Sequence, residues 1–254
     1  MILLFSIISC QNNNSDENAS DEILYTMPEE SEAHEGTWLQ WPHHYQHGLT
    51  YRNEIDPTWV AMTQALVTSE KVHIIAYNET EKTRIIALLT AANVSLTNID
   101  FKIYQTDDVW VRDNGPIYVK DKNGNLVIED WGFNGWGEKA DFEKCDLIPA
   151  KIGVDQNRTV INLNNEMVNE GGAVEIDGNG TLLATKSAIL NTNRNPGLSQ
   201  ADAEAIFKTY LGVTNVIWLD GVAGLEITDM HIDGFARLGN ATTIVTMNQA
   251  NLLE

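Results

Sequence analysis

Glu226-Ile-Thr-Asp-Met-His-Ile-Asp-Gly-Phe-Ala-Arg237 is the stretch from which the fold is read. His231 and Asp233 stand two apart, a spacing that puts both side chains on one face of an extended chain. The stretch closes on an acidic residue, a glycine and a strand-like run. The same grammar occurs at Glu35-Gly36-Thr37-Trp38, at Asp113-Asn114-Gly115-Pro116-Ile117 and at Glu170-Gly171-Gly172-Ala173. Beyond Asp113, Glu170 and Asp233 the chain turns back through Asn123-Gly124, Gly178-Asn179-Gly180 and Gly239-Asn240. A single Asp-Gly or Glu-Gly is an ordinary turn dipeptide. Four in matching context argue for like units at intervals of some tens of residues, as in a propeller or solenoid. In a ring of equivalent units the four acidic residues would meet on the axis. Carboxylates gathered with one imidazole make a pocket for a cation, with an acid/base in reach.

Composition bounds the answer. A chain of 254 residues makes one large domain or two small ones, and no shift in composition marks a boundary between two. The balance of 36 acidic against 16 basic residues gives a net charge of -20. That argues against a nucleic-acid partner, which needs a basic face, and suits a cationic ligand. The two cysteines, Cys10 and Cys145, are too few for a disulfide framework or a cysteine zinc cluster. Cys10 follows the apolar run Met1-Ile-Leu-Leu-Phe-Ser-Ile-Ile-Ser9 and precedes a polar stretch, which resembles a bacterial lipoprotein signal. Residues 1–25 are therefore expected to be signal and disordered tether, with lipidation at Cys10 anchoring the protein in the cell envelope. No basic residue precedes the run, a departure from secretory signals that keeps a cytoplasmic location as the alternative.

Order is expected from about residue 26 onward. His43, His44 and His47 read as solvated loop residues. Pro57 suits the first turn of a helix to Ser69. Strands are expected at Val72–Tyr77 and 99–104, with a helix from Glu79 to Ala92 between them. The Asn123-Gly124 tip predicts a hairpin of Ile117–Lys120 with Leu126–Asp130. A second hairpin follows Glu170, and a third follows Asp233. Ser199-Gln-Ala-Asp202 reads as a capping box opening a helix that stops at Gly212. Cys145 has no activating neighbour in sequence and reads as a structural thiol. The element order predicts an α/β fold with local strand pairing, not a doubly wound parallel sheet. No phosphate-binding glycine loop is present.

A guanidinium is planar, permanently charged and offers five donors in a fork, and carboxylates accept two of them in parallel. Asp113 and Asp233 are the candidates for that fork. His231 is the candidate for proton transfer, Glu170 for a second positive group at the ligand's far end, and Trp110 for a stacking wall. The segments Glu35-Gly-Thr-Trp-Leu-Gln-Trp-Pro42, Asp108-Val-Trp-Val-Arg-Asp-Asn-Gly-Pro116, Phe133-Asn-Gly-Trp-Gly137, Glu170-Gly-Gly172, Asn193-Arg-Asn-Pro196 and Ile227–Arg237 resemble, in order, the signatures of agmatine deiminases and the related bacterial-type peptidyl-arginine deiminases. The resemblance implies the pentein fold, an α/β propeller of ββαβ units, with residues 26–254 as a partial catalytic domain.

It also implies a reaction: a cysteine attacks the guanidinium carbon, ammonia leaves, and water releases a ureido product. Asp113 and Asp233 would clamp the guanidinium, His231 would be the acid/base, and Glu170 would lie close to the substrate. No metal or organic cofactor is implied. In the family the nucleophile follows the His-x-Asp segment, and neither Cys10 nor Cys145 matches its position. The chain is therefore expected to be a truncated member, with its last unit or units missing and little turnover as it stands. The alternatives are a peptidyl-arginine deiminase, a lipid-anchored cation-binding protein that does not catalyse, and a metal-dependent hydrolase with His231, Asp233, Asp113 and Glu170 as ligands.

Overall fold

Hairpin tips and helix stops fix the local order of the chain, and the computed structural model describes it for residues 22–240 and 242–248. Cys10 and the residues expected to form its signal lie outside the described residues. The hairpin at Asn123-Gly124 joins strands Ile117–Asp121 and Leu126–Gly132, with Gly124 at φ 79° supplying the left-handed corner. Helix Ile148–Gln156 then carries the chain to strand Val160–Val168, which runs parallel to Leu126–Gly132. The sequence of parts repeats. Hairpin Val174–Ile176 and Thr181–Thr185 is followed by helix Gln200–Leu211 and strand Asn215–Leu219, parallel to Thr181–Thr185. A third hairpin, Ala236–Asn240 with Thr243–Thr246, begins after His231 and Asp233. Tyr25–Thr26 adds a short antiparallel strand beside Ile117–Asp121.

The first part of the chain departs from the expected local pairing. Strands Gly36–Gln40, Lys71–Ala76 and Ile99–Ile103 form a wholly parallel sheet, because helices His44–Leu66 and Glu79–Ala91 supply the crossovers such a sheet needs. The helix runs back past Pro57, which lies inside it rather than at its first turn, and Gly48 at φ 74° marks the kink. The histidines ahead of that kink are not solvated loop residues. His44 and His47 sit on the first helical turn, and His43 is 2% exposed, with Nε2 3.1 Å from the Thr106 carbonyl and its ring 4.3 Å from that of Tyr77. Burial holds its imidazole down at about 4.

The predicted capping box is present: the Ser199 hydroxyl accepts from the Asp202 amide and the Asp202 carboxylate accepts from the Ser199 amide. The helix stops at Gly212 in the left-handed region. The principal core packs Val119, Trp131, Leu163 and Met167 against Leu182, Ala184 and Phe207. That core joins the two hairpin–helix–strand units, so the turns preceding each hairpin are held at fixed separation.

One carboxyl in this layer is not part of any ion pair. Glu129 is buried, its Oε2 accepts from Trp131 Nε1–H at 3.0 Å, and its Oε1 has no partner among the described residues. Burial pushes the group from an ordinary 4.5 up to about 9, so at neutral pH it is a neutral acid. The folded chain then holds a proton that the unfolded chain releases. Its contribution to stability is full below about 4.5 and is lost as pH rises toward 9. Glu129→Gln is expected to flatten that dependence and to raise Tm at neutral pH, as thermal denaturation across a pH series would record. Parallel slopes for the two proteins would refute the neutral carboxyl.

Candidate active site

The turns that open the hairpins carry the chemistry. Asp113 lies on a single helical turn, Val111–Asn114, which Gly115 terminates. A Cβ on Gly115 would stand 2.2 Å from the Val111 carbonyl oxygen, so only glycine lets the chain leave this turn directly for the strand. Glu170 precedes a 3-10 turn, Gly171–Ala173. A Cβ on Gly171 would meet the Arg112 carbonyl oxygen at 2.1 Å. The Gly-Gly pair is thus the means by which this turn packs onto the one bearing Asp113. His231 and Asp233 are not on an extended strand as the two-residue spacing suggested. Ile232–Gly234 is a 3-10 turn.

These turns nevertheless meet at one point. A Cβ built on Gly172 would lie 2.6 Å from Asp113 Oδ1, 2.7 Å from His231 Nδ1 and 2.8 Å from Asp233 Oδ2. The missing side chain of Gly172 is the floor of the site. Asp113 Oδ1 accepts from the Gly172 amide at 3.1 Å and lies 3.5 Å from His231 Nδ1, while its Oδ2 accepts from Trp136 Nε1–H at 3.0 Å. His231 Nε2 is 3.1 Å from Glu170 Oε2. Glu170 is 0% exposed and accepts from Arg194 Nε–H at 2.7 and 2.9 Å. Both its oxygens are therefore engaged inside the protein. The role expected for it at a ligand's far end gives way to one behind the imidazole. Trp110 is 55% exposed at the start of the Asp113 turn. Glu35, the fourth acidic residue of the pattern, does not join the group: it is 62% exposed and paired with Lys71.

The charges perturb one another in readable ways. Burial pushes Asp113 up to about 6 against the attraction of His231, and the neighbouring Glu170 and Asp233 add to the rise. Asp233 is raised as well, chiefly by burial, with His231 and Arg112 opposing. For His231 burial acts downward but is outweighed by the Glu170 hydrogen bond and by the charges of Asp113, Glu170 and Asp233, so its imidazole titrates above the ordinary value. Like charges held this close want a cation between them. Among the described residues no group of three or more His, Cys, Asp or Glu side chains is arranged to hold a metal ion. Arg194 already occupies the carboxylate that the metal reading needs. Cys145 is buried beside Phe133 and Trp136, its sulfur accepts from the Asp107 amide at 3.2 Å, and burial pushes its thiol up to about 11. Burial thus disfavours its thiolate at neutral pH.

Arg194, Asp229 and Trp136 were not singled out by role in the sequence. Trp136 had a signal: glycines flank it, and at φ 58° it needs the tight left-handed turn that Gly135 and Gly137 permit. Arg194 had one in Asn193-Arg-Asn-Pro196, a basic residue inside an otherwise polar turn.

A family model for Porphyromonas-type peptidyl-arginine deiminase matches residues 26–252. The chain belongs to that family. Among its relatives, the agmatine deiminase of Pseudomonas aeruginosa (strain LESB58) is 35% identical over 217 residues, which is 83% of this chain and 57% of that enzyme. The agmatine deiminase of Stutzerimonas stutzeri (strain A1501) is 35% identical over 225 residues, with the same 83% and 57% coverage. This member thus spans about 57% of the length of the curated relatives it matches. Its structure superposes on the C. jejuni agmatine deiminase with substrate bound at a TM-score of 0.77 and 26% identity, covering 90% of this chain and 66% of that one. The agmatine deiminase of Enterococcus faecalis, at 24% identity, shares the fold with a TM-score of 0.80 over 91% of this chain and 62% of its own. The mixed α/β architecture of the family member is that of these enzymes.

Gly172→Ala is expected to separate Asp113 or Asp233 from the imidazole and to lower the pH at which His231 titrates, read from its ring resonance. A titration unchanged from wild type would mean that the added carbon is accommodated.

Proposed function

We propose that this chain forms the guanidinium-binding and acid–base portion of an agmatine deiminase-type hydrolase, which cleaves a C–N bond of a linear amidine. The observation that carries the reading is the convergence of Asp113, His231 and Asp233 around Gly172. Asp113 and Asp233 offer acceptors on two sides of a flat cation. Asp113 is oriented by Trp136 and by the Gly172 amide, so its free lone pairs face the site. Glu170 holds His231 through Nε2, and Nδ1 lies 3.5 Å from Asp113 Oδ1, on the side of the proposed clamp. Trp110 would form the wall over the bound group.

In the full reaction a thiolate adds to the guanidinium carbon, His231 passes a proton to the departing nitrogen, and ammonia leaves. Water then adds to the thiouronium carbon and expels the thiolate, giving the ureido product. The proposal gives this chain the clamp and the proton carrier. It does not give Cys145 the attack, because that thiol is buried and protonated. Low turnover by the chain alone follows, together with retained binding. Agmatine is the ligand favoured by the names of the relatives, and a peptidyl arginine is the competing one. The same proposal extends to the arrangement of the units as part of a pentein ring and to a lipid tether at Cys10, which would place the protein in the cell envelope.

Thermal shift with agmatine, arginine and a peptide ending in arginine tests the reading. At about a hundred times Kd the bound cation should add ~2.7 kcal/mol to stability. Failure of every guanidino compound to shift Tm, with the protein folded, would sink it. Affinity should strengthen as pH rises through about 6, because binding favours the ionised form of a carboxyl that burial holds partly protonated. Asp113→Asn should weaken binding by roughly tenfold to a hundredfold and reduce that pH dependence to what Asp233 and His231 contribute, as calorimetry would show.

A further inference from the structure

We infer that Arg194 is a positioning residue for the acid–base histidine, acting on it at once through Glu170 and through the backbone turn that precedes it. The inference rests on the reading of His231 as the proton carrier. Arg194 is 0% exposed and spends its whole fork inside the protein. Nε–H donates to both oxygens of Glu170, the group behind His231 Nε2. Nη1 donates to Asp229 Oδ2 at 2.6 Å and Nη2 to the Thr228 carbonyl at 3.1 Å. One planar group therefore grips the hydrogen-bond partner of the imidazole and the segment that delivers the imidazole.

That segment needs holding. Asp229 and Met230 lie at φ 61° and 67°, a left-handed pair that side chains bearing a Cβ disfavour. The turn persists because the surroundings over-determine it. Ser187 Oγ–H donates to the Asp229 carbonyl at 2.6 Å and Thr185 Oγ1–H to the Met230 carbonyl at 2.8 Å. The Gly224 amide and Lys139 Nζ donate to the Asp229 carboxylate at 2.6 and 2.7 Å. Arg194 is the link between this turn and Glu170. A buried ionic group is weak evidence of stability by itself. Its placement here has a specific product: Glu170, locked by Arg194, is the nearer acceptor, 3.1 Å from Nε2 against 3.5 Å from Nδ1 to Asp113, so the neutral imidazole keeps its proton on Nε2. A lysine has the charge but not the fork, and cannot serve both sides.

Ring-nitrogen NMR of the full chain with labelled histidine tests this, since the shifts report the tautomer directly. In alkaline buffer the wild-type His231 should give the single Nε2–H form. Arg194→Lys and Arg194→Gln should lose that single form, with the Nδ1–H tautomer appearing, in protein whose amide spectrum shows it folded. Asp229→Asn keeps the shape of the turn and should give a partial loss, so a variant of Arg194 that does not fold leaves a second reading of the same link. A wild-type tautomer in folded Arg194→Lys, or in Asp229→Asn where the arginine variants do not fold, overturns the assignment. A merely structural role would lower Tm and leave the tautomer alone. Agmatine added to the wild type separates the two claims: resonances of His231 that do not move strike the binding reading, while an unchanged tautomer strikes only Arg194.

Discussion

The constraint on which this structure turns is the crowding of like charge around a residue with no side chain. Asp113, Asp233 and Glu170 are brought toward one imidazole, and burial raises the cost of each charge. Two devices make the arrangement tolerable. Arg194 neutralises Glu170 from behind, and the His231 imidazole stands between Glu170, 3.1 Å from Nε2, and Asp113, 3.5 Å from Nδ1.

The fold serves this by placing short turns ahead of hairpins. The core beneath fixes the two hairpin–helix–strand units, Gly171 lets its turn approach that of Asp113 to backbone contact, and Gly172 lets the Asp113, His231 and Asp233 side chains close over it. Each functional side chain projects from a turn too short to flex by itself, and each is then held by a neighbour: Asp113 by Trp136, His231 by Glu170, Glu170 by Arg194. Such serial support is how a site made from loops acquires the precision of one made from strands.

Much of this was legible. The Asn-Gly tip, the Ser-x-x-Asp box and the Gly stop are local signals, and local signals survive into the structure because nothing tertiary opposes them. The repeated acidic-glycine pattern located Asp113, Glu170 and Asp233, yet it also nominated Glu35, whose context is the same in sequence and different in space. Glu35 precedes a strand of a parallel sheet and faces Lys71 across it. His43 looked solvated because burial by distant Thr106 and Tyr77 leaves no mark nearby, and His44 and His47 because their partners Glu81 and Asp108 are far along the chain. The role of Glu170 was misread for the same reason. Which of two cations a carboxylate meets depends on where residue 194 comes to rest, and no spacing rule carries that.

The hydrogen bonds that build the site join residues far apart along the chain: 61 positions from His231 to Glu170, and 59 from Gly172 to Asp113. Contacts of that span form late, after loop closure has been paid for by the packing of both units. The charge cluster therefore exists only where both units have packed together, and its integrity is a property of the tertiary fold rather than of any single turn.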